Sequence, residues 1–185
     1  MSLTRQSPPA TLAVTPDALA EHLRLPHAAP ETEQTVELVT LVKAATAAIE
    51  RRLDTALVAQ GWLWFTADPA RPLPLAPVLS VESAEIVDRH GTRTPWTGWT
   101  LARDGPGPRL AARSFPSIPT DGHVEIAFTA GYGTAPEAVP DDLRHAVTLM
   151  AAHFYEHRTA TDDPRTPLPL GVAALLAPYS PIRLS

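Results

Sequence analysis

Two histidines near the end of the chain have the spacing of metal ligands. His153 and His157 lie four residues apart, which places both on one face of a helix. Imidazole nitrogens at this spacing can bind zinc, so a small metal-dependent hydrolase is one alternative. The zinc-protease motif has a glutamate directly after its first histidine, however, and Phe154 occupies that position here. No third ligand is apparent, and a polar helix face packed at an interface is the simpler interpretation.

A basic segment in the middle of the chain favours a second kind of chemistry, nucleic-acid binding. Between residues 89 and 113 the acidic residue is Asp104 alone, against Arg89, Arg93, Arg103, Arg109 and Arg113. Arginine side chains bind phosphates, so a DNA-binding module is another alternative. A solvated face or a contact between subunits explains the same cluster. The formal net charge of -5 argues against a general nucleic-acid binder, which needs cations to displace counterions.

Tryptophans are concentrated in the same part of the sequence, at Trp62, Trp64, Trp96 and Trp99. They could form a platform for a sugar or a base. Aromatic residues more often fill the core of a small sheet or a protein interface, and we expect one of these two roles. No group of residues makes a credible active site. We therefore expect no catalysis, cofactor or metal.

The spacing of prolines indicates which elements position these residues. The chain has 21 prolines among 185 residues, and proline disrupts helix interiors and central strands. Regular structure is therefore expected in the proline-free stretches. A hydrophobic content of 44% allows a packed core, and the absence of cysteine excludes disulfides, thiolate metal sites and a cysteine nucleophile. The length predicts a single domain over residues 1–185.

Two long helices and a small sheet are predicted. Residues 15–59 read as N-terminal helices, because Thr15-Pro16-Asp17 is a helix start and apolar residues recur at helical spacing from Leu38 onward. Residues 60–130 are β-rich, and the alternation of Val124, Ile126 and Phe128 predicts a strand over His123–Ala130. Residues 140–158 form a second long helix, and residues 159–185 are a proline-rich loop, a short helix and a tail. The predicted fold class is α+β: a small helical bundle built on two long helices, with an inserted small antiparallel β-sheet.

The chain has no sequence signal for a membrane or for export. Its start lacks an apolar signal segment, and the uncharged apolar stretch at residues 56–67 is too short to span a bilayer. We therefore expect a protein made in the cytoplasm, with no membrane partner.

Three segments together carry a recognisable pattern: VKAATAAIERRLDTALVAQGWLW, then VEIAFTAGYGTAPEAVPDDLRHAVTLMAAHFYEHR, then LPLGVAALLAPY. A weaker fourth, TPDALAEHLRL, precedes them. Their order and spacing resemble the head–tail connector, or adaptor, family of long-tailed phages and phage-like gene transfer agents. The resemblance spans nearly the whole chain, although residues 66–120 match only in being β-rich.

The resemblance implies a structural protein without catalysis. Such adaptors form rings, usually of twelve copies, that dock beneath the portal, extend the DNA channel and join head to tail. The implied partners are the portal protein, the next tail-side component (a stopper or a tail terminator), further copies of the chain, and DNA that passes without sequence-specific binding. The protein would be cytoplasmic during assembly and then part of the particle at the head–tail junction. By position, the portal-docking tail would contain Tyr179, Ile182, Arg183 and Leu184, and the tryptophans would be candidate interface aromatics.

Overall fold

The computed structural model describes residues 2–26, 32–104, 107–157 and 168–180. The chain divides into two compact units. A unit of strands comprises Met1–Ala10 and Asp54–Thr134, and a unit of helices comprises Thr11–Leu53 and Ala135–Ser185. Neither unit is one continuous stretch of sequence, so each is completed by segments that lie far apart along the chain.

The helical unit contains four α-helices in its described part: α1 (Pro16–His22), α2 (Glu33–Leu53), α3 (Asp141–Glu156) and α4 (Leu170–Leu176). Helix α1 starts as predicted, because the Thr15 hydroxyl accepts a hydrogen bond from the Ala18 backbone N–H at 3.2 Å and Pro16 occupies the first turn. Helix α2 packs against α3, and α3 packs against α4.

The core of the helical unit follows the apolar stripes of its two longer helices. The buried side chains of α2 lie three or four residues apart, as a single helical face requires, and are Leu38, Val42, Ala45, Ile49 and Leu53. Helix α2 ends at Leu53 instead of continuing to residue 59. Asp54 adopts a positive φ of 51°, which ends the helix. The next apolar residues, Ala56, Leu57 and Val58, are buried in the unit of strands.

The unit of strands contains a five-stranded antiparallel sheet in the order β1-β2-β7-β3-β4, and a separate pair, β5-β6. The strands are β1 (Ser2–Ser7), β2 (Gln60–Thr66), β3 (Val78–Val87), β4 (Arg93–Pro95), β5 (Trp99–Ala102), β6 (Arg109–Ala112) and β7 (His123–Ala130). The central strand, β7, has the bounds predicted from its alternating apolar residues. It pairs with β2 on one side and with β3 on the other.

One face of this sheet carries the core of the unit. Ile126 and Phe128 of β7 are fully buried, and Trp64 of β2 lies opposite Ile126 in the register. Leu110 of β6 and Leu73 of the proline-rich segment belong to the same buried cluster. The proline-rich stretch between β2 and β3 therefore contributes to the core of this unit.

The predicted architecture is wrong. The fold is mixed α+β, but the described chain has four helices, a five-stranded antiparallel sheet and a second sheet of two strands, not a helical bundle built on two long helices with a small inserted sheet. The sheet is larger than predicted because residues 2–7, with mostly exposed side chains and no apolar alternation, add a strand before the first helix. The short strand at residues 93–95 adds the opposite edge.

Candidate interaction surfaces

The four tryptophans lie together in the core of the unit of strands. Trp64 and Trp96 are buried, and Trp62 and Trp99 are partly buried against the same cluster. The Trp99 indole N–H donates a hydrogen bond to the Trp96 carbonyl oxygen at 2.8 Å. The Arg5 guanidinium lies 5.9 Å from the centroid of the Trp62 ring. These rings therefore act as core side chains, and a role for them at an interface stays a prediction.

The predicted docking tail begins at a residue that is anchored within the helical unit. The Tyr179 hydroxyl oxygen lies 2.8 and 2.9 Å from the two carboxylate oxygens of Asp142, and the hydroxyl donates a hydrogen bond to that carboxylate. Asp142 lies in the first turn of α3, and Tyr179 lies in the helical turn that follows α4. Ile182, Arg183 and Leu184 lie outside the described residues, so their docking role also stays a prediction.

Three arginines of the basic segment, residues 89–113, have separate partners within the chain. Arg93 pairs with Glu125, with N–O distances of 3.1 and 3.2 Å. Arg103 donates to two backbone carbonyls of β3 at 2.8 and 3.3 Å, and Arg109 pairs with Asp104 at 3.5 Å. The segment therefore does not present five free cations to a phosphate backbone, and the DNA-binding alternative has no support from its geometry.

The two histidines come together at the end of α3, with His153 in its last turn and His157 directly after it. The ring centroids of His153 and His157 lie 4.2 Å apart, and Nδ1 of His157 lies 2.9 Å from the His153 carbonyl oxygen. A zinc site takes at least three protein ligands. Within the described ranges, no three histidine, cysteine, aspartate or glutamate side chains converge. The pair thus lacks a donor set, and the hydrolase alternative has no support either.

The face of the five-stranded sheet that lies opposite its core is a further candidate interaction surface. We call it the outer face. Because side chains alternate along strands, the register assigns to it Leu63, Phe65, Ser83, Glu85, Glu125 and Ala127. Glu82, at a bulge in β3, joins this face, because its Oε1 accepts a hydrogen bond from the Thr129 hydroxyl at 2.8 Å. Leu63, Phe65 and Ala127 are half-buried.

An ion-pair network gives the outer face its charge. The Glu125 side chain is only 10% exposed, and its carboxylate is satisfied by Arg93 of the edge strand. Nε of Arg93 also lies 3.5 Å from Oε2 of Glu85, and Nε2 of His123 lies 3.4 Å from Oε1 of Glu125. With Glu82, the face carries three carboxylates against the one guanidinium of Arg93, so it is acidic.

A groove adjoins the outer face. It has a volume of about 330 Å³ and is lined by Ser2, Phe65, Thr66, Ala67 and His123. The Phe65 and His123 rings lie 5.7 Å apart in its wall. This largely apolar groove beside the acidic outer face has room for side chains of another protein.

The outer face was not predicted from the sequence, although a signal for it exists. Glu125 lies between the buried Val124 and Ile126, so the period of two assigns its carboxylate to the face opposite the core. Glu85 likewise follows the buried Ala84. The anchoring of Tyr179 has no comparable signal, because it joins residues 37 positions apart.

None of the helices in the described ranges combines the length and the apolar character that crossing a bilayer requires.

Solved structures of gene transfer agent (GTA) particles contain chains similar to this one. A chain of the neck of an empty GTA particle, computed with C6 symmetry, is 35% identical, with a TM-score of 0.85. A chain of the virion of a native GTA particle is 36% identical, with a TM-score of 0.84. A chain of the neck of a native GTA particle, computed with C12 symmetry, is 34% identical, with a TM-score of 0.75. Each comparison covers 100% of this chain and 98% of the other.

No protein-family profile and no curated protein matches the sequence. The class that the fold and the similar chains define is that of structural components of a phage-like particle. More narrowly, the chain belongs to the head–tail connector family of phage-like particles.

Proposed function

We propose that this protein is a non-enzymatic adaptor that forms a ring beneath the portal, extends the DNA channel and joins the head to the tail of a phage or a gene transfer agent. The observation that carries the proposal is the likeness to GTA neck chains over the whole length of this chain, at 35% identity and a TM-score of 0.85. The C12 symmetry used for one of these necks supports a ring of twelve copies. The protein would assemble in the cytoplasm and stay in the particle at the head–tail junction.

Its partners in this proposal are the portal protein on one side and a stopper or tail terminator on the other. DNA would pass through the ring without sequence-specific binding, which the formal net charge of -5 supports, because a strongly basic lumen would retain phosphates. The portal contact is assigned to Ile182, Arg183 and Leu184. Tyr179, bonded to Asp142, would fix the position of the chain shortly before these three residues.

The primary test is to locate the chain in particles. Cells that encode it are given a deletion of its gene, and their particles are compared with those of the parent by cryo-electron microscopy. We expect a ring of the chain between head and tail in the parent, and heads without tails in the deletion strain. Tailed particles in the deletion strain, or a parent neck that lacks the chain, would overturn the proposal.

A second test concerns the tail. Deleting residues 181–185 leaves the Tyr179 anchor in place, so the variant should keep its melting temperature and lose binding to purified portal. The matched control replaces Pro181 alone by alanine, which keeps the three assigned side chains. Unchanged portal affinity after the deletion would show that the tail assignment is wrong.

A further inference from the structure

A basic strip on helix α2 is the charge complement of the outer face. Lys43 and Arg51 lie eight residues apart and therefore on one side of the helix, with Ala47 between them. Arg52 follows Arg51 but lies about 180° around the helix from Lys43, so it is outside the strip. All four residues are exposed. No ion pair within the described residues involves Lys43, Arg51 or Arg52. These cations are therefore available to a partner.

The two surfaces also agree in dimension. Eight residues of helix separate Lys43 from Arg51 by about 12 Å along the axis. Three residues of strand separate Glu82 from Glu85 by at most about 10 Å, because the bulge at Glu82 shortens the regular rise. Between the charges, the strip carries the small side chain of Ala47, which permits close approach to a sheet. Between its two glutamates, the outer face offers the small side chain of Ser83, which lies opposite Ala127 of β7 in the register.

We propose that the outer face of one copy binds the α2 strip of the next copy, and that this contact builds the ring. A patch that meets a different patch on an identical neighbour makes a heterologous contact, which is the kind that closes into a cyclic ring. Charge complementarity selects the partner and its register. The inference rests on the ring function proposed above and adds to it which surfaces meet.

Paired cysteines test this contact in the assembled particle, since the chain has no cysteine of its own. Ala47→Cys and Ser83→Cys are introduced together in the producing cells, and isolated particles are oxidised with copper phenanthroline. Cysteines with Cα atoms within about 7 Å can form a disulfide. We expect a ladder of dimers, trimers and higher multimers on a non-reducing gel, whereas a disulfide within one chain would leave a single monomer band.

The matched control pairs Ser83→Cys with Ala173→Cys, an exposed position on α4, and should give no ladder. If the chain forms a ring in the neck but the first pair gives no ladder, the inference fails and the proposed function stands. If the chain is absent from the neck, the proposed function fails and the inference fails with it. Crosslinking of Ser83→Cys to a different protein would also overturn the inference.

Charge reversal provides an independent measurement. Lys43→Glu with Arg51→Glu, or Glu82→Lys with Ser83→Lys, should each lower the yield of tailed particles at least about tenfold, because like charges then face each other. The second pair leaves the contact of Arg93 with Glu85 and Glu125 intact. The variant with all four changes should recover to within about threefold of the parent, because attraction is restored in reverse. Recovery no better than that of either pair, in variants with the parental melting temperature, would overturn the inference.

Discussion

At the scale of single residues, the turn after β7 depends on Gly131. This residue has a φ of +139°, and its N–H donates to the Pro77 carbonyl oxygen at 2.9 Å. A Cβ there would lie 2.5 Å from the backbone nitrogen of Ala59. We predict that Gly131→Ala lowers the free energy of unfolding by about 2–4 kcal/mol, because strain and overlap combine. Urea unfolding would measure the loss.

The control for this prediction is Gly91→Ala. Gly91 also has a positive φ, +83°, but a Cβ there would meet nothing within 4 Å. Its substitution should cost only about 1 kcal/mol, the backbone contribution alone. Equal losses for the two variants would contradict the role of the close approach between Gly131 and Ala59.

A second prediction at this scale concerns the buried carboxylate of the outer face. Arg93→Met leaves Glu125, only 10% exposed, without its main partner. We predict a loss of about 1–2 kcal/mol in the free energy of unfolding, at the low end for a buried pair because Arg93 is itself 56% exposed. Adding Glu125→Gln should recover part of the loss. A double-mutant cycle in urea would contradict the prediction if it found no coupling.

At the scale of elements, the bond between Tyr179 and Asp142 ties the turn after α4 to the first turn of α3. Tyr179→Phe removes the hydroxyl and leaves the ring. We predict a loss of about 1–2 kcal/mol, since the acceptor is a carboxylate, measured as a lower melting temperature. Ser180→Ala, which removes a local bond to the Leu176 carbonyl oxygen, is the control and should have the smaller effect. A larger loss of melting temperature for Ser180→Ala than for Tyr179→Phe would contradict this role of Tyr179.

The turn between β3 and β4 depends on the ionised form of Asp88. Its Oδ1 accepts hydrogen bonds from the backbone N–H groups of Thr92 at 2.9 Å and His90 at 2.8 Å. These bonds, chiefly that from Thr92, lower the pKa of Asp88. A lowered pKa in the folded state adds stability above the unfolded pKa of about 4, and this stability is lost as the pH falls through the folded value.

We therefore predict that Asp88→Asn is less stable than the parent at pH 7 and that the difference narrows below pH 4. Urea midpoints at pH 7 and pH 3 would measure the two differences, and an NMR titration would give the pKa of Asp88 directly. A difference that stays constant with pH, or an Asp88 pKa at its ordinary value, would contradict this account.

The predictability of each element followed from the strength of its local signal. The stripe from Leu38 to Leu53 and the alternation in β7 are long and periodic, and the structure confirms both. The end of α2 was missed because it depends on the positive φ of Asp54 and on the burial of Leu57 in the other unit. Strand β1 was missed because pairing with β2, not its own composition, makes it a strand. The outer face was missed because its residues come together only through the pairing of β3 with β7.

At the scale of the whole molecule, the sheet is completed by a strand that precedes the helical segment. Deleting residues 2–7 would leave β2 as an exposed edge, with unpaired backbone groups beside Trp62. We predict that the deletion variant aggregates, as measured by light scattering. Its melting temperature should be lower by about 5 °C or more, which corresponds to a loss of about 2 kcal/mol in the free energy of unfolding at this chain length. Replacing the exposed Ser2 and Thr4 by alanine keeps the strand and should change neither. A soluble deletion variant of parental stability would contradict the prediction.

The interleaving of the two units also determines the order in which the sheet can form during synthesis. Strand β1 leaves the ribosome first, yet Ser2 pairs with Phe65, and Trp62 in turn pairs with Phe128. Strands so far apart in sequence pair slowly, because the entropic cost of closing the intervening loop comes before any stabilising contact forms. The outer face exists only once β7 joins β2 and β3, so a chain that ends before β7 lacks the surface that we assign to the contact with a neighbouring copy. Synthesis of β7 is therefore required before a copy can enter the ring through this face.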